Sequence, residues 1–164
     1  MILIALLLGW PGIAQAAPVR PLADGSPPAC RTVSTYSLDA ILDALRSTES
    51  GGQRNGGRDA TGDGGRAIGP YQIHRAYFLD AGLPGRYEDC RDPEYSRRVV
   101  IAYWRRWCPE ALERSDAEVL ARVHNGGPRG ASKPGTLAYW SRVERRLAAA
   151  PALAMAMPSK PLPL

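Results

Sequence analysis

Apolar residues in the middle of the chain recur at intervals of three and four, the spacing that places them on one face of a helix. The first such segment begins after Ser37, whose side chain suits an N-cap, and extends to Glu49. Glycines follow Ser50, and glycine commonly ends a helix because it adopts the left-handed conformation without strain. The apolar positions of this first helix are Leu38, Ile41, Leu42 and Leu45.

The same periodicity predicts four further helices, separated by loops rich in glycine and proline. They cover about residues 70–79, 93–107, 115–124 and 136–147. Asp92 and Pro93 suit the N-cap and first position of the third helix, and Ser115 with Glu118 has the spacing of a capping box for the fourth. No segment alternates convincingly as a strand would, so we predict a small, mainly α domain with a glycine-rich loop.

Both ends of the chain differ in composition from the helical middle. Residues 1–17 combine a short apolar run with an Ala-Gln-Ala pattern, which is typical of a secretory signal peptide, although a buried N-terminal helix is the alternative. Residues 18–32 are rich in Pro, Ala, Ser and Gly and are interpreted as a flexible linker. Residues 148–164 form an Ala/Pro/Met tail, which we expect to be disordered because its prolines oppose a continuing helix. The folded domain is therefore predicted to cover residues 33–147.

The formal net charge is +5, and the arginines are spread over several segments. This dispersal, without a zinc-finger or RNA-binding motif, argues against a nucleic-acid partner. In an exported protein the positive charge favours an anionic wall polymer. No segment approaches the ~20 apolar residues of a membrane span, so stable membrane insertion is not expected. We expect a secreted or periplasmic monomer that uses no cofactor.

Three cysteines leave at least one thiol unpaired. If the helix over residues 93–107 is complete, Cys90 and Cys108 lie near its opposite ends, too far apart for a disulfide. Either that helix is shorter, or Cys30 pairs with one of the other two.

Glu49 is the first candidate for chemistry. At 100° per residue it returns to within about 20° of Leu38, on the apolar face of the first helix. Burial there would raise the pKa of the carboxyl group, and the negative end of the helix dipole acts in the same direction. A carboxyl group that stays protonated near neutral pH suits the general acid of a glycosidase. The alternative is an ordinary glutamate at a helix end, turned to solvent.

Glycoside hydrolysis by the usual route needs a second, ionised carboxylate. Asp63 fits because it stands in a polar glycine-rich loop beside Arg66, and Asp59 is its competitor. Residues 59–64 also resemble the first half of a calcium loop, but Pro70 occupies the position where such a loop needs a glutamate. His74 and His124 have no further ligand at the spacing of a zinc site, so no metal is expected.

Seven blocks of this sequence resemble, in order, those of invertebrate-type (destabilase-like) lysozymes. They are residues 48–51, 67–73, 76–80, 87–90, 102–106, 121–130 and 136–140. The most specific is the His-Asn-Gly-Gly-Pro stretch at residues 124–128, which follows the Glu-Ser-Gly at residues 49–51. The resemblance covers roughly residues 38–143.

The resemblance implies a lysozyme-like α fold and hydrolysis of the β-1,4 bond between N-acetylmuramic acid and N-acetylglucosamine in peptidoglycan. It assigns the proton donor to Glu49 and places the second carboxylate nearest Asp63. Core packing of Tyr77 and Tyr103 is the alternative to sugar contact, as is helix capping for His124. The substrate-binding residues that it implies are His74, Arg75, Ala76, Tyr77, Phe78, Leu79, Asp80, Tyr103, His124, Asn125 and Gly126.

One departure from the animal family is the scarcity of cysteine. Gly52, Gly57 and Ile68 stand about where that family places cysteines, so the chain resembles a cysteine-poor microbial branch that depends more on apolar burial. Three other functions stay open. They are a lytic transglycosylase using Glu49 alone, a destabilase-like isopeptidase using Ser50 and His124, and an inactive wall-binding module.

Overall fold

The computed structural model describes residues 36–51 and 53–156. The predicted signal peptide, the predicted linker and residues 157–164 lie outside them. Over the described residues, six α-helices, five short 3-10 helices and three two-residue strands confirm the prediction of a mainly α domain. The helices are α1 (Leu38–Ser50), α2 (Arg75–Ala81), α3 (Pro93–Trp107), α4 (Pro109–Glu113), α5 (Ala117–Gly126) and α6 (Leu137–Ala156). The strands are β1 (Thr61–Gly62), β2 (Ala67–Ile68) and β3 (Ile73–His74).

The first and third helices begin at the residues that the sequence predicts. The Ser37 hydroxyl accepts a hydrogen bond from the backbone N–H of Ala40 at 3.2 Å, and α1 ends at Gly51 with a left-handed φ of 60°. The Asp92 carboxylate accepts from the backbone N–H groups of Glu94 and Tyr95, at 3.0 and 2.9 Å. Helix α1 therefore ends at Ser50, one residue after Glu49, which places the Glu49 side chain in its last turn.

Residues 70–74 differ from the prediction, because Pro70 does not open a helix. The backbone N–H of Gln72 donates to the carbonyl of Gly69 at 3.1 Å, so residues 69–72 form a turn with proline at its second position. Gln72 has a positive φ of 47°, which a helix cannot continue through. The turn joins β2 to β3, and α2 begins only at Arg75.

The three strands form a small antiparallel sheet in the order β1-β2-β3, which the sequence did not predict. Thr61 pairs with Ile68, and Ile68 with Ile73. Two residues are too few to produce an alternating pattern. Asp63 directly follows β1, and His74 is the last residue of β3, so the sheet positions both side chains.

The boundaries of the last two helices also differ from the prediction. Asp116, rather than Ser115, caps α5 by accepting from the N–H of Val119 at 3.1 Å, while Ser115 has a φ of 51°. The predicted partner of the capping box, Glu118, instead pairs with Arg122 at 2.7 Å. Helix α6 continues past Leu147 to Ala156, so its backbone passes through Pro151, where the sequence predicts a tail. A proline there costs one helical hydrogen bond without necessarily ending the helix.

The core lies between the inward faces of α1, α3, α5 and α6. Trp104 is fully buried, and its indole N–H donates to the carbonyl of Leu120 at 3.0 Å, which fixes α3 against α5. Cys90 and Cys108 are buried in this core as free thiols, and Cys30 lies outside the described residues. Over the described ranges no helix combines the length and the apolar character that crossing a membrane would require.

Candidate active site

A cleft of about 320 Å³ opens where the end of α1, the small sheet, the start of α2 and the end of α5 meet. Both predicted catalytic carboxyl groups line it, together with four of the predicted substrate-binding residues and three residues that were not predicted. The lining residues are Glu49, Gly62, Asp63, Ala67, Gln72, His74, Tyr77, His124 and Asn125.

Glu49 lines this cleft and is largely buried, with 19% of its side chain exposed. The hydroxyl of Tyr139, on α6, donates to Oε1 of Glu49 at 2.7 Å. The Nε2 atom of His124, on α5, lies 3.6 Å from the same oxygen. Three helices therefore fix the position of this carboxyl group.

The predicted direction of the Glu49 pKa shift is wrong. Burial does raise the pKa of the carboxyl group, as its position on the apolar face implies, but three neighbours oppose this effect. The imidazole of His124, the hydroxyl of Tyr139 and the charge of Arg142 together hold the pKa of Glu49 below its usual value. All three belong to distant parts of the chain, so the spacing within α1 contained no sign of them.

His124 is itself held from its other side. Its Nδ1 atom lies 3.1 Å from the hydroxyl of Tyr77, and only 4% of the side chain is exposed. The ring of Tyr77 stacks on that of Tyr103, with centroids 3.6 Å apart and planes 14° from parallel. Tyr103 thus supports Tyr77 from the core rather than lining the cleft itself.

Asp63 contributes the second carboxylate from the loop after β1. Its Oδ2 atom lies 3.1 Å from Nε2 of His74, and both side chains are about half exposed. Arg66, the predicted charge partner, donates instead to the backbone carbonyl of Asp63 at 2.9 Å. The competitor Asp59 accepts from the amide of Asn55 at 2.9 Å and is not among the lining residues.

Gln72 is the main lining side chain that the sequence reasoning missed. Its amide donates to the carbonyl of Gly69 at 2.9 Å, and its Oε1 atom would lie 2.4 Å from a Cβ at Gly62. Gly62 therefore lets the Gln72 side chain lie against the sheet at the cleft. Gln72 belongs to residues 67–73, one of the blocks that resemble the lysozyme family, but the resemblance did not imply it as a substrate contact.

The other predicted substrate-binding residues do not line the cleft. Phe78 is buried in the core, 6.1 Å from the ring of Tyr87, and is not placed to stack on a sugar there. The carbonyl of Asp80 accepts from Arg106 at 3.0 Å. The other predicted substrate-binding residues that do not line the cleft are Arg75, Ala76, Leu79, Tyr103 and Gly126.

The pairing of Ser50 with His124 that an isopeptidase would require is not present. The Ser50 hydroxyl is buried and donates to the carbonyl of Arg46 at 2.8 Å, whereas His124 faces Glu49 and Tyr77. Within residues 36–51 and 53–156, no three His, Cys, Asp or Glu side chains gather as a metal site would need. The chemistry that this cleft offers is that of two carboxyl groups, each beside a histidine.

Known proteins of similar sequence and structure are lysozymes. Invertebrate-type lysozyme 6 of Caenorhabditis elegans is 30% identical over 122 residues, which cover 67% of this chain and 87% of that protein. The lysozyme of Ostrea edulis is 36% identical over 86 residues, and the chain spans 63% of its length. The crystal structure of inhibitor-bound lysozyme from Meretrix lusoria superposes with a TM-score of 0.55 at 34% identity, covering 68% of this chain and 90% of that one.

No family model matches the chain. The similarity to the Caenorhabditis protein nevertheless extends over most of that relative, and the solved structure agrees with it in fold. The resemblance noted in the sequence is therefore confirmed, and this chain belongs to the invertebrate-type lysozyme family.

Proposed function

We propose that this protein is a glycoside hydrolase that cleaves the β-1,4 bond between N-acetylmuramic acid and N-acetylglucosamine in peptidoglycan. The observation that carries the proposal is that Glu49 and Asp63 line one cleft in different environments. Glu49 is largely buried, whereas Asp63 is 60% exposed at the side chain. Glycosidases use two such carboxyl groups for different roles.

Glu49 acts as the general acid. It donates a proton to the glycosidic oxygen as the bond to the leaving sugar breaks, and Asp63 faces the positive charge that develops on the other sugar. A water molecule forms the new bond to that sugar and gives its proton to a carboxylate of the pair, which completes the hydrolysis. A glycan in the cleft displaces water from Glu49, which strengthens the effect of burial and favours the protonated form. The contacts with His124 and Tyr139 favour the anion. They therefore stabilise the Glu49 carboxylate that remains once its proton has been donated.

Four of the remaining lining residues supply contacts for the sugars. The amide groups of Gln72 and Asn125 can both donate and accept hydrogen bonds, as recognition of an N-acetyl group requires. Tyr77 presents a phenol ring at the wall of the cleft, and His74 stands beside Asp63. These four residues are the substrate contacts that we propose, and Gln72 is the addition to those predicted from the sequence.

We further propose that the protein acts outside the cytoplasm, where its substrate lies. The support is the signal-like composition of residues 1–17 and the net charge of +5, which suits an anionic wall. N-terminal sequencing of the protein recovered from culture medium or periplasm would show cleavage after residue 16 or 17. A protein recovered from the cytoplasm with Met1 intact would contradict this part of the proposal.

The test of the activity compares the full chain with its Glu49→Gln variant on purified peptidoglycan, with the products identified by mass. We expect Glu49→Gln to lower the rate by at least about 100-fold, because the amide cannot donate the proton. Glu113→Gln, an exposed glutamate on α4, is the matched control and should leave the rate unchanged. Undiminished activity in Glu49→Gln, or no products from the unmodified protein, would overturn the proposal.

The second carboxylate distinguishes hydrolysis from the lytic transglycosylase alternative. Asp63→Asn should also abolish most of the activity, and the unmodified protein should release sugars with a reducing end rather than anhydro-sugars. Full activity of Asp63→Asn together with anhydro products would identify a transglycosylase that uses Glu49 alone.

A further inference from the structure

The two polar neighbours of Glu49 approach the same atom of its carboxyl group. The Tyr139 hydroxyl donates to Oε1 at 2.7 Å, and Nε2 of His124 lies 3.6 Å from Oε1. Within the described residues, the structure gives Oε2 no hydrogen-bond or ion-pair partner. The carboxyl group is therefore anchored through one oxygen.

Tyr139 is suited to be a permanent donor. Its ring is buried between α6 and the core, and burial followed by the negative charge of Glu49 raises its pKa well above the usual value. The phenol consequently keeps its proton at neutral pH. Arg142 lies over the same ring, 5.3 Å from its centroid.

His124 is suited to present a proton to Oε1 as well. A carboxylate attracts an N–H group, so the proton of a neutral His124 ring belongs on Nε2, and Nδ1 is then an acceptor for the Tyr77 hydroxyl 3.1 Å away. Burial, followed by the negative charges around it, raises the pKa of Tyr77 well above its usual value, so this phenol also remains a donor. Tyr77 therefore selects the His124 tautomer that faces Glu49.

We propose that Tyr139 and His124 are positioning residues that hold Oε1 of Glu49, so that Oε2 is the oxygen that carries the proton to the substrate. Tyr77 acts one step further away by fixing the ring of His124. This inference rests on the proposed function for its catalytic meaning, but the anchoring of Oε1 is a property of the protein alone.

The groups that face Glu49 come from every helix packed against it. They are His124 on α5 and Tyr139 and Arg142 on α6, with Tyr77 on α2 behind His124. Each contact favours the carboxylate over the neutral acid, since a donor or a positive charge stabilises the anion. Removing one of them should therefore raise the pKa of Glu49 and extend the pH range over which it stays protonated.

The test measures the titration of Glu49 directly, by ¹³C NMR of side-chain carboxyl carbons in the full chain, with Glu49→Gln identifying the signal. We expect Tyr139→Phe to raise the pKa of Glu49 by about one unit, since one hydrogen bond to a charged group is removed. In the protonated state, isotope-edited infrared spectra of Tyr139→Phe should show the Glu49 C=O stretch at higher frequency, because Oε1 has lost its donor. His124→Gln should raise the pKa in the same direction.

Activity gives the second measurement. The alkaline limb of the kcat/KM profile, which reports the general acid of the free enzyme, should move upward with the NMR value in both variants. Tyr95→Phe is the matched control, because it removes a phenol hydroxyl that donates to the carbonyl of Pro84, away from the cleft. It should leave both the titration and the profile in place.

The outcomes separate this inference from the proposed function. If the two variants raise the pKa of Glu49 but the protein cleaves no peptidoglycan, the anchoring of Oε1 stands and the proposed function is overturned. The opposite outcome is an active enzyme in which Tyr139→Phe and His124→Gln lower only the rate or the melting temperature. If the pKa of Glu49 and the alkaline limb of the profile stay unchanged, the two residues have a packing role only, and the anchoring of Oε1 is overturned.

Discussion

The contact between Asp63 and His74 is exposed, and this limits how much it can contribute. The two side chains are 60% and 47% accessible, and solvent-exposed ion pairs are typically worth less than about 1 kcal/mol. Asp63 stands in a strained position, with a φ of 50°, so its orientation depends mainly on the turn that carries it. His74 therefore assists Asp63 without determining where it points.

We accordingly expect His74→Ala to lower kcat/KM by no more than about fivefold, the factor that corresponds to an exposed pair. Asp63→Asn should be far more damaging, because it removes the carboxylate itself. Steady-state kinetics on a soluble peptidoglycan oligosaccharide would measure both variants. His74→Gln, which keeps an N–H donor, should recover part of the loss. Equal losses in His74→Ala and Asp63→Asn would show that the contacts of His74 contribute far more than an exposed pair does.

Single residues were predictable to the extent that their surroundings are local in sequence. The position of Glu49 on the apolar face of α1 follows from its spacing to Leu38, and this part of the prediction agrees with the structure. The direction of its pKa shift does not follow, because the neighbours that lower it, first His124 and then Tyr139, lie far along the chain, Tyr139 90 residues further on. Periodicity records which face a residue occupies, whereas charge partners depend on the tertiary fold.

Helix boundaries were predictable where a residue type favours only one local structure. Ser37 and Asp92 cap their helices as expected, since a capping side chain acts on the residues directly after it. Pro70 is ambiguous in the sequence, because proline suits both the first position of a helix and the second position of a turn. The left-handed φ of Gln72 decides for the turn, and a glutamine does not reveal that conformation in its sequence.

The turn over residues 69–72 also supports a prediction about stability. Gly69 has a φ of 75°, and a Cβ there would lie 2.0 Å from the carbonyl oxygen of Cys90. Gly69→Ala should therefore lower the free energy of unfolding by at least about 3 kcal/mol, because backbone strain and a clash with backbone act together. Urea unfolding followed by circular dichroism would measure the change.

Gly82→Ala is the matched control for Gly69→Ala. Gly82 ends α2 with a φ of 66°, but no atom lies within 4 Å of a Cβ at this position. Gly82→Ala should lower the free energy of unfolding only by the backbone strain, about 1 kcal/mol. Similar losses in the two variants would mean that the contact of Gly69 with residue 90 does not constrain the turn.

The molecule as a whole keeps the lysozyme fold with few cysteines. Cys90 and Cys108 are both buried free thiols, one before α3 and one directly after it. The sequence indicated that an intact α3 would separate them, and α3 runs unbroken over Pro93–Trp107. The described part of the domain is therefore held by its apolar core, in which the side chains of Trp104 and Leu120 are fully buried.

This arrangement predicts two protected thiols in the native protein. Burial, followed by nearby acidic side chains, raises the pKa of Cys90 to about 12 and that of Cys108 to about 11, so neither forms the reactive thiolate at neutral pH. In a Cys30→Ser variant, a thiol reagent such as DTNB should react slowly at pH 8 until urea unfolds the chain, and then with two equivalents. A reducing agent should leave its melting temperature unchanged. Rapid labelling of the folded variant, or a loss of stability on reduction, would show that these cysteines are accessible or bonded and that the core alone does not hold the domain.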